Sequence, residues 1–283
     1  MSVKLIQDRL DSYHCRSNVE EEHAVREITQ EVALAALGRT EFFKHALFQG
    51  GTCLRIFYGL NRFSEDMDFL LKETNRDYKL QPHLQAVSDE LKAYGYDIEI
   101  VDRSKAGIAV RKAFLKDDSL GKVLQFRYGD RSGPPRKIRV KLEIDTNPPS
   151  GSGMEVKYVD FPFISSVTVQ DRPSLFAGKL HALLCREYLK GRDWYDFLWY
   201  TSQHIGVNYA FLSSALMQQG PWHHKDIQVD LKWCLKHLED KISSVDWVAA
   251  REDVRRFVKT AEHPSLELWS RELFLSQLEK VKG

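Results

Sequence analysis

The sequence predicts an α+β fold, with a mixed sheet and flanking helices in the first half and an all-helical C-terminal half. Three observations predict it. Short segments with strand-type alternation recur between helical stretches up to about residue 165. Beyond that point apolar residues return almost entirely at helical spacing. Asp66 and Asp68 stand two apart in the otherwise apolar "SEDMDFLLK", where carboxylates are costly unless a cation meets them. The 283 residues, 43% hydrophobic and 29% charged, suit a soluble globular chain of one large or two modest domains. A formal net charge of +1 excludes a wholesale polycation, so any nucleic-acid contact must come from a local basic patch. The N-terminus lacks a signal-peptide core, and no apolar run approaches a membrane span. Cys15, Cys53, Cys185 and Cys234 lie far apart, which indicates neither a disulfide framework nor a zinc site. A cytoplasmic location is expected.

The elements follow in chain order. Residues 20–37 carry Val25, Ile28, Val32 and Ala35 at helical spacing, with Gly38 as a C-terminal stop. "HALFQ" is a short buried strand, and Gly50-Gly51 turn it into a helix over Thr52–Leu60. "SEDMDFLLK" is the next strand, with Asp66, Asp68 and Leu70 on one face and Met67, Phe69 and Leu71 on the other. A helix around Pro82–Tyr94 precedes the strand "YDIEIV". "KVLQFRY" and "KIRVKLEID" are two strands joined as a hairpin by the turn-rich "GDRSGPPR". In the second of them Glu143 and Asp145 share a face, with Leu142 and Ile144 opposite. Ile227, Leu231, Leu235, Leu238 and Ile242 form a helical stripe, and Val245, Val248 and Ala249 begin another. The expected division is residues 1–165 and 166–283.

Same-face residues on a strand lie roughly 6.6–7 Å apart, so Asp66 and Asp68 can converge on one cation or on a close pair. Few carboxylates completed by phosphates and water suit Mg²⁺, with Mn²⁺ as an alternative. Glu143 or Asp145 supplies a third ligand if the two acidic strands are neighbours. Gly50, Gly51 and Thr52 open a helix, where bare N–H groups and the helix dipole favour a phosphate. Phosphate cradle, spacer helix and metal-binding strand together describe a nucleoside triphosphate site. Each piece alone is more often plain turn chemistry or an exposed polar face.

The combination "GGTCLR" followed by "RFSEDMDF" resembles the first motif of the AbiEii/AbiGii abortive-infection toxins. These MenT-like toxins of type IV toxin–antitoxin pairs are nucleotidyltransferases of the DNA polymerase β superfamily. "SLFAGKLHALLCREYLKGRDWYDFLWY" is similar to that family's later motifs, a lysine helix followed by an R-D-x-x-D helix, and "VKLEID" lies between. The resemblance spans roughly residues 45–200, and the last eighty residues carry no recognisable motif. On a continuous helix Lys179, Arg186 and Lys190 would fall within about 20° of one direction and form a basic stripe. His181 points nearly opposite and is read as structural. Asp193 and Asp196 share a face at i, i+3, and Asp193 could merely cap its helix. The resemblance makes one of that pair functional, by orienting Lys179 or by binding substrate. Ser64 belongs to the first motif and is expected on the face of Asp66. Arg55 and Arg62 are candidate phosphate contacts or salt-bridge partners.

The resemblance implies a Mg²⁺-dependent enzyme that moves a nucleoside monophosphate from an NTP to an acceptor hydroxyl. Lys179 would neutralise the triphosphate. It further implies an RNA acceptor such as a tRNA 3′ end, and a cognate antitoxin protein as partner. Arg131, Arg136, Lys137 and Arg139 cluster around the predicted hairpin turn and could reach an RNA backbone. The alternatives are transfer to a small molecule or a protein side chain, or a catalytically silent nucleotide-binding member.

Overall fold

A computed structural model describes residues 2–102, 109–117, 124–128 and 138–282. The chain divides into two compact units. The first comprises Met1–Gly59, Phe63–Pro148 and Val156–Val169, and the second Leu60–Arg62, Pro149–Glu155 and Gln170–Gly283. No helix among the described residues is long and apolar enough to cross a membrane.

The first unit begins with α1 (Ser2–Ser12), α2 (Asn18–Gly38) and α3 (Phe42–His45). Ser17 caps α2 by accepting the Glu20 N–H. Almost the whole of α2 is buried, and it packs against α1 and against α5 (Gln81–Ala93). Gly38 is not the predicted stop. It is the last residue of α2, and a Cβ there would lie 2.1 Å from Ser165 Oγ, so close approach explains this glycine. Between α3 and α5 come β1 (Ala46–Gln49), α4 (Gly50–Tyr58) and β2 (Asp66–Leu71). Then follow β3 (Glu99–Asp102), β4 (Val110–Asp117), β5 (Ile138–Asp145), β6 (Met154–Val159) and β7 (Ser165–Gln170).

Among the described residues these strands form one sheet in the order β3-β4-β5-β2-β1-β7-β6. β1 is antiparallel to β2 and parallel to β7, whereas β2 runs parallel to β5. The two acidic strands are therefore neighbours. The antiparallel partner of β5 is β4, and Leu124–Tyr128 of the expected strand "KVLQFRY" forms no strand. β4 went unpredicted because Arg111, Lys112, Lys116 and Asp117 put charge on both of its faces. β6 was hidden for the opposite reason, since Met154, Val156 and Tyr158 are its exposed residues. The all-helical stretch begins after β7, at Arg172.

The second unit contains α6 (Arg172–Cys185), α7 (Gly191–Ser202), α8 (Tyr209–Gln218) and α9 (Leu231–Ser243), then α10 (Trp247–Arg255), α11 (His263–Leu266) and α12 (Arg271–Leu278). Its core is aromatic: Phe176 stacks on Tyr200 at 4.4 Å and Trp247 on Phe274 at 4.0 Å. α9 buries Cys234, Leu238 and Ile242, while Ile227 of the expected stripe precedes the helix. α7 and α10 approach closely at Gly191, where a Cβ would meet the Ala250 carbonyl oxygen at 2.0 Å.

Candidate active site

In the first unit, four strands bring one polar row together. Gln49 of β1 lies opposite Asp68 of β2, Asp68 beside Glu143 of β5, and Glu143 opposite Lys112 of β4. One step along, Asp66 lies beside Lys141. Strand alternation buries Met67, Phe69, Leu142 and Ile144 and leaves Asp66, Asp68, Lys141 and Glu143 half-buried on the other face. Glu143 is held from two sides, by Lys112 Nζ at 2.8 Å and Lys141 Nζ at 2.9 Å. Lys141 Nζ also stands 3.7 Å from Asp66 Oδ2. Burial pushes the Glu143 carboxyl up, but hydrogen bonds from Lys112 and Lys141 outweigh it and keep the group acidic. Asp145 sits beside Leu70 rather than beside either aspartate, and accepts the Asn147 N–H at 2.9 Å. Burial raises its pKa.

Helix α4 meets this row at its first residue. Gly50 has φ +78°, and a Cβ there would lie 2.6 Å from Asp68 Oδ2. Only glycine allows that backbone and that carboxylate to coexist. The first N–H groups of α4 lack intrahelical acceptors, so an anion can take them. Thr52 is fully buried, and its hydroxyl donates to the Asp66 carbonyl. It thus fixes the start of β2. Arg55 donates to Glu27 at 2.9 Å and lies over the Phe63 ring at 4.6 Å. Ser64 precedes β2 instead of sharing its face, and its carbonyl accepts from Gln30 Nε2 at 3.2 Å.

No three His, Cys, Asp or Glu side chains among the described residues are placed to hold a metal by themselves. The donor chemistry nevertheless fits a hard ion. Asp66 and Asp68 offer carboxylate oxygens beside the first residues of α4, and Glu143 adds a third that two lysines already hold. Such an incomplete oxygen set suits an ion finished by water and substrate phosphates.

In the second unit a buried ionic cluster joins α6, α7 and the segment Leu60–Arg62. Arg62 grips Asp196 with Nε and Nη2, each at 2.6 Å. Lys179 Nζ lies 2.7 Å from both Asp193 Oδ1 and Asp196 Oδ2. Arg186 Nη1 donates to Asp193 Oδ2. The side chains of Arg62 and Asp196 are 3% and 0% exposed, so this cluster is internal. Burial lowers the Lys179 pKa, but the fields of Asp193 and Asp196 outweigh it and the ammonium stays charged.

The expected basic stripe does not exist as a helix face. α6 ends at Cys185, Arg186 adopts an extended conformation as its C-cap, and Lys190 is the N-cap of α7. The turn between brings Arg186 to Asp193. His181 faces the Gln219 carbonyl at 3.1 Å and has a lowered pKa through burial, in keeping with a structural role. Of the basic hairpin cluster, Arg131, Arg136 and Lys137 lie outside the described residues. Arg139 is exposed on β5, its guanidinium 4.3 Å from the Phe114 ring centre. Sequence reasoning missed Lys112, Lys141 and Gln30. Lys141 was visible one alternation step from Glu143. Lys112 was not, because β4 was unpredicted.

A family model described as the nucleotidyl transferase AbiEii toxin of a type IV toxin–antitoxin system matches residues 32–274. Among solved structures, the chain is similar to JHP933 from Helicobacter pylori, with 17% identity, a TM-score of 0.50 and coverage of 91% of this chain and 89% of that one. It is also similar to MenT4, a nucleotidyltransferase toxin from Mycobacterium tuberculosis H37Rv, with 15% identity, a TM-score of 0.50 and full coverage of both chains. At these identities the likeness is one of fold, a mixed sheet with flanking helices. No curated protein matches the chain.

Proposed function

We propose, from the premise that this chain belongs to the AbiEii family of nucleotidyltransferase toxins of type IV toxin–antitoxin systems, that it transfers a nucleoside monophosphate from an NTP to an RNA hydroxyl. The observation that carries the proposal is the half-buried row of Asp66, Asp68 and Glu143 set against the N-terminus of α4. The backbone N–H groups at Gly50 and Gly51 hold phosphate oxygens, where a helix N-terminus favours an anion by about 0.3–1 kcal/mol. Thr52 and Gln30 contribute indirectly, by fixing the strand entrance at Asp66 through main-chain carbonyls. The acceptor hydroxyl gives up its proton to water as its oxygen bonds to the α-phosphorus in line, and the bond from the α-phosphorus to the bridging β-phosphate oxygen breaks to release pyrophosphate.

Asp66 and Asp68 would hold Mg²⁺, which when bound supplies charge stabilisation at the attacking and leaving oxygens. Lys112 and Lys141 set the charge of the row by neutralising Glu143. An RNA end is our choice of acceptor because Arg131, Arg136, Lys137 and Arg139 concentrate basic charge in one stretch of a near-neutral chain. The toxin family further implies an antitoxin protein partner, and both substrates place the reaction in the cytoplasm. The test is incubation with each labelled nucleoside triphosphate, total RNA and Mg²⁺. Label should enter RNA with the wild type and not with Asp66→Ala. Label incorporated equally by both would refute the site, and label on protein or a small molecule would refute the acceptor.

A further inference from the structure

Strand β6 closes one end of the sheet, and among the described residues no strand lies beyond it. From Met154 to Tyr158 it alternates apolar and charged residues, but with the faces inverted. Met154, Val156 and Tyr158 are 59%, 55% and 68% exposed, whereas Glu155 and Lys157 on the other face are half-buried. Scattered exposed apolar side chains are ordinary. Three in a row on an edge strand are different, because the open main-chain N–H and C=O groups beside them template the addition of another strand. Edges are commonly guarded by proline, by outward lysines or by being very short. β6 has six residues, an ordinary strand length, and no proline. Its one lysine is turned back onto the chain, with Lys157 Nζ 4.9 Å from the centre of the Tyr58 ring.

The sequence of this edge fits a second copy of itself. A two-fold axis at Val156 sets each Val156 opposite its equivalent in an antiparallel pair. Met154 then faces the partner's Tyr158, and Glu155 faces the partner's Lys157. Apolar side chains meet on one face, and opposite charges meet twice on the other, both favourable cross-strand pairs. An axis at Glu155 or at Lys157 instead sets like charges opposite each other. An axis between two residues sets the apolar row against the charged one, since a slip of one residue exchanges the faces. One register alone is self-complementary. A contact of this kind closes on its own two-fold, so it makes a dimer and not a filament. It stands apart from the acidic row, because β7 separates β6 from β1.

We propose that β6 is a dimerisation edge, to which a second copy of this chain adds its own β6 antiparallel in the register centred on Val156. The proposal does not rest on nucleotidyl transfer. One short strand pair buries less than the roughly 1,200 Å² at the lower end of stable interfaces. The affinity is therefore weak, with Kd on the order of 10–100 µM.

The test is sedimentation equilibrium of the full chain, from about 1 µM to about 300 µM, a range that brackets such a Kd. Wild type should pass from monomer to dimer across it and form nothing larger. Val156→Asp brings two like charges together at the axis and should stay monomeric throughout. Glu155→Lys sets two lysines opposite each other twice and should weaken the dimer at least tenfold. Adding Lys157→Glu to that variant restores opposite charges and should return Kd to within about threefold of wild type. These positions lie outside the core, so Tm at the lowest concentration should be that of wild type in every variant. A wild type that remains monomeric at the highest concentration overturns the proposal and leaves this edge to a different partner. Undiminished dimerisation by Val156→Asp or by Glu155→Lys overturns it too. So does an assembly that grows beyond the dimer, or a charge swap that fails to recover what Glu155→Lys loses.

Discussion

Asp196→Asn removes a charge from the most buried ionic contact of the second unit, and a heavy loss of stability is expected. The carboxylate is inaccessible to water, accepts two hydrogen bonds of 2.6 Å from Arg62, and lies 2.7 Å from Lys179. Burial opposes its ionisation, but Arg62 and Lys179 outweigh burial and hold its pKa below the ordinary value. Breaking such a pair leaves Arg62 buried with a neutral partner and Lys179 with one carboxylate, Asp193, in place of two. Loss of one partner of a buried pair costs about 3–5 kcal/mol. Asparagine keeps one oxygen for Arg62, so about 3 kcal/mol is the working figure. For a folding unit of this size each kcal/mol lowers Tm by roughly 3–5 °C, which puts the shift at roughly 9–15 °C. Far-UV circular dichroism melts at neutral pH measure it, with urea unfolding as a second reading. Replacing both Arg62 and Asp196 by apolar residues should recover much of the loss, because no buried charge is then stranded. A single-mutant Tm within 3 °C of wild type, or a double mutant worse than Asp196→Asn, would refute the reasoning.

Acid should dissect the same cluster: burial raises the Asp193 pKa, but Lys179, Arg186 and Lys190 bring it down from 3.8 to about 2. A depressed carboxyl pKa stabilises above the ordinary value, so wild type should lose about 2 kcal/mol as pH falls from 3.8 towards 2. Asp193→Asn should lack that step, and a parallel acid profile in both proteins would contradict the assignment. Glu31 should behave in the opposite sense, since burial raises its pKa from 4.5 to about 7 against the pull of Arg9. The folded chain then keeps a proton that the unfolded chain releases, so stability falls as pH rises from 4.5 through about 7, by on the order of 3 kcal/mol. Glu31→Gln should flatten that slope in pH-dependent melts, and an unchanged slope would assign it to another group. Gly50→Ala must adopt φ +78° and meet Asp68 Oδ2 at 2.6 Å, so we expect about 1–2 kcal/mol of destabilisation and more than about tenfold less nucleotide transfer. Full transfer by Gly50→Ala would show that the junction of α4 and β2 is not where phosphate sits. Asp66→Ala should abolish transfer with Tm nearly unchanged, because its contact with Lys141 is 3.7 Å long and half-exposed, worth about 0–1 kcal/mol.

The types of residue in both sites were legible in the sequence, whereas most of their partners were not. Alternation in "SEDMDFLLK" and "KIRVKLEID" placed Asp66, Asp68 and Glu143 on polar faces, and the register of β2 with β5 brings those faces side by side. The parallel pairing itself has no local signal, since it depends on a strand about 75 residues away in the chain. β4 carries charge on both faces, so its contribution of Lys112 to Glu143 was invisible to any rule about alternation. The second unit shows the same limit more sharply. A continuous helix from Lys179 to Lys190 was the condition for the expected basic stripe, yet the helix stops at Cys185. A helical wheel would have set Lys179, Arg186 and Lys190 facing solvent together. The turn after Cys185 instead folds Arg186 back to Asp193, on the helix that follows, where Lys179 is already bound. A stripe of three equivalent cations thus becomes two neutralised ones and Lys190, which has no ion pair among the described residues. That inequality is absent from any helical projection, because it follows from where α6 stops and from the turn that carries Arg186 to Asp193.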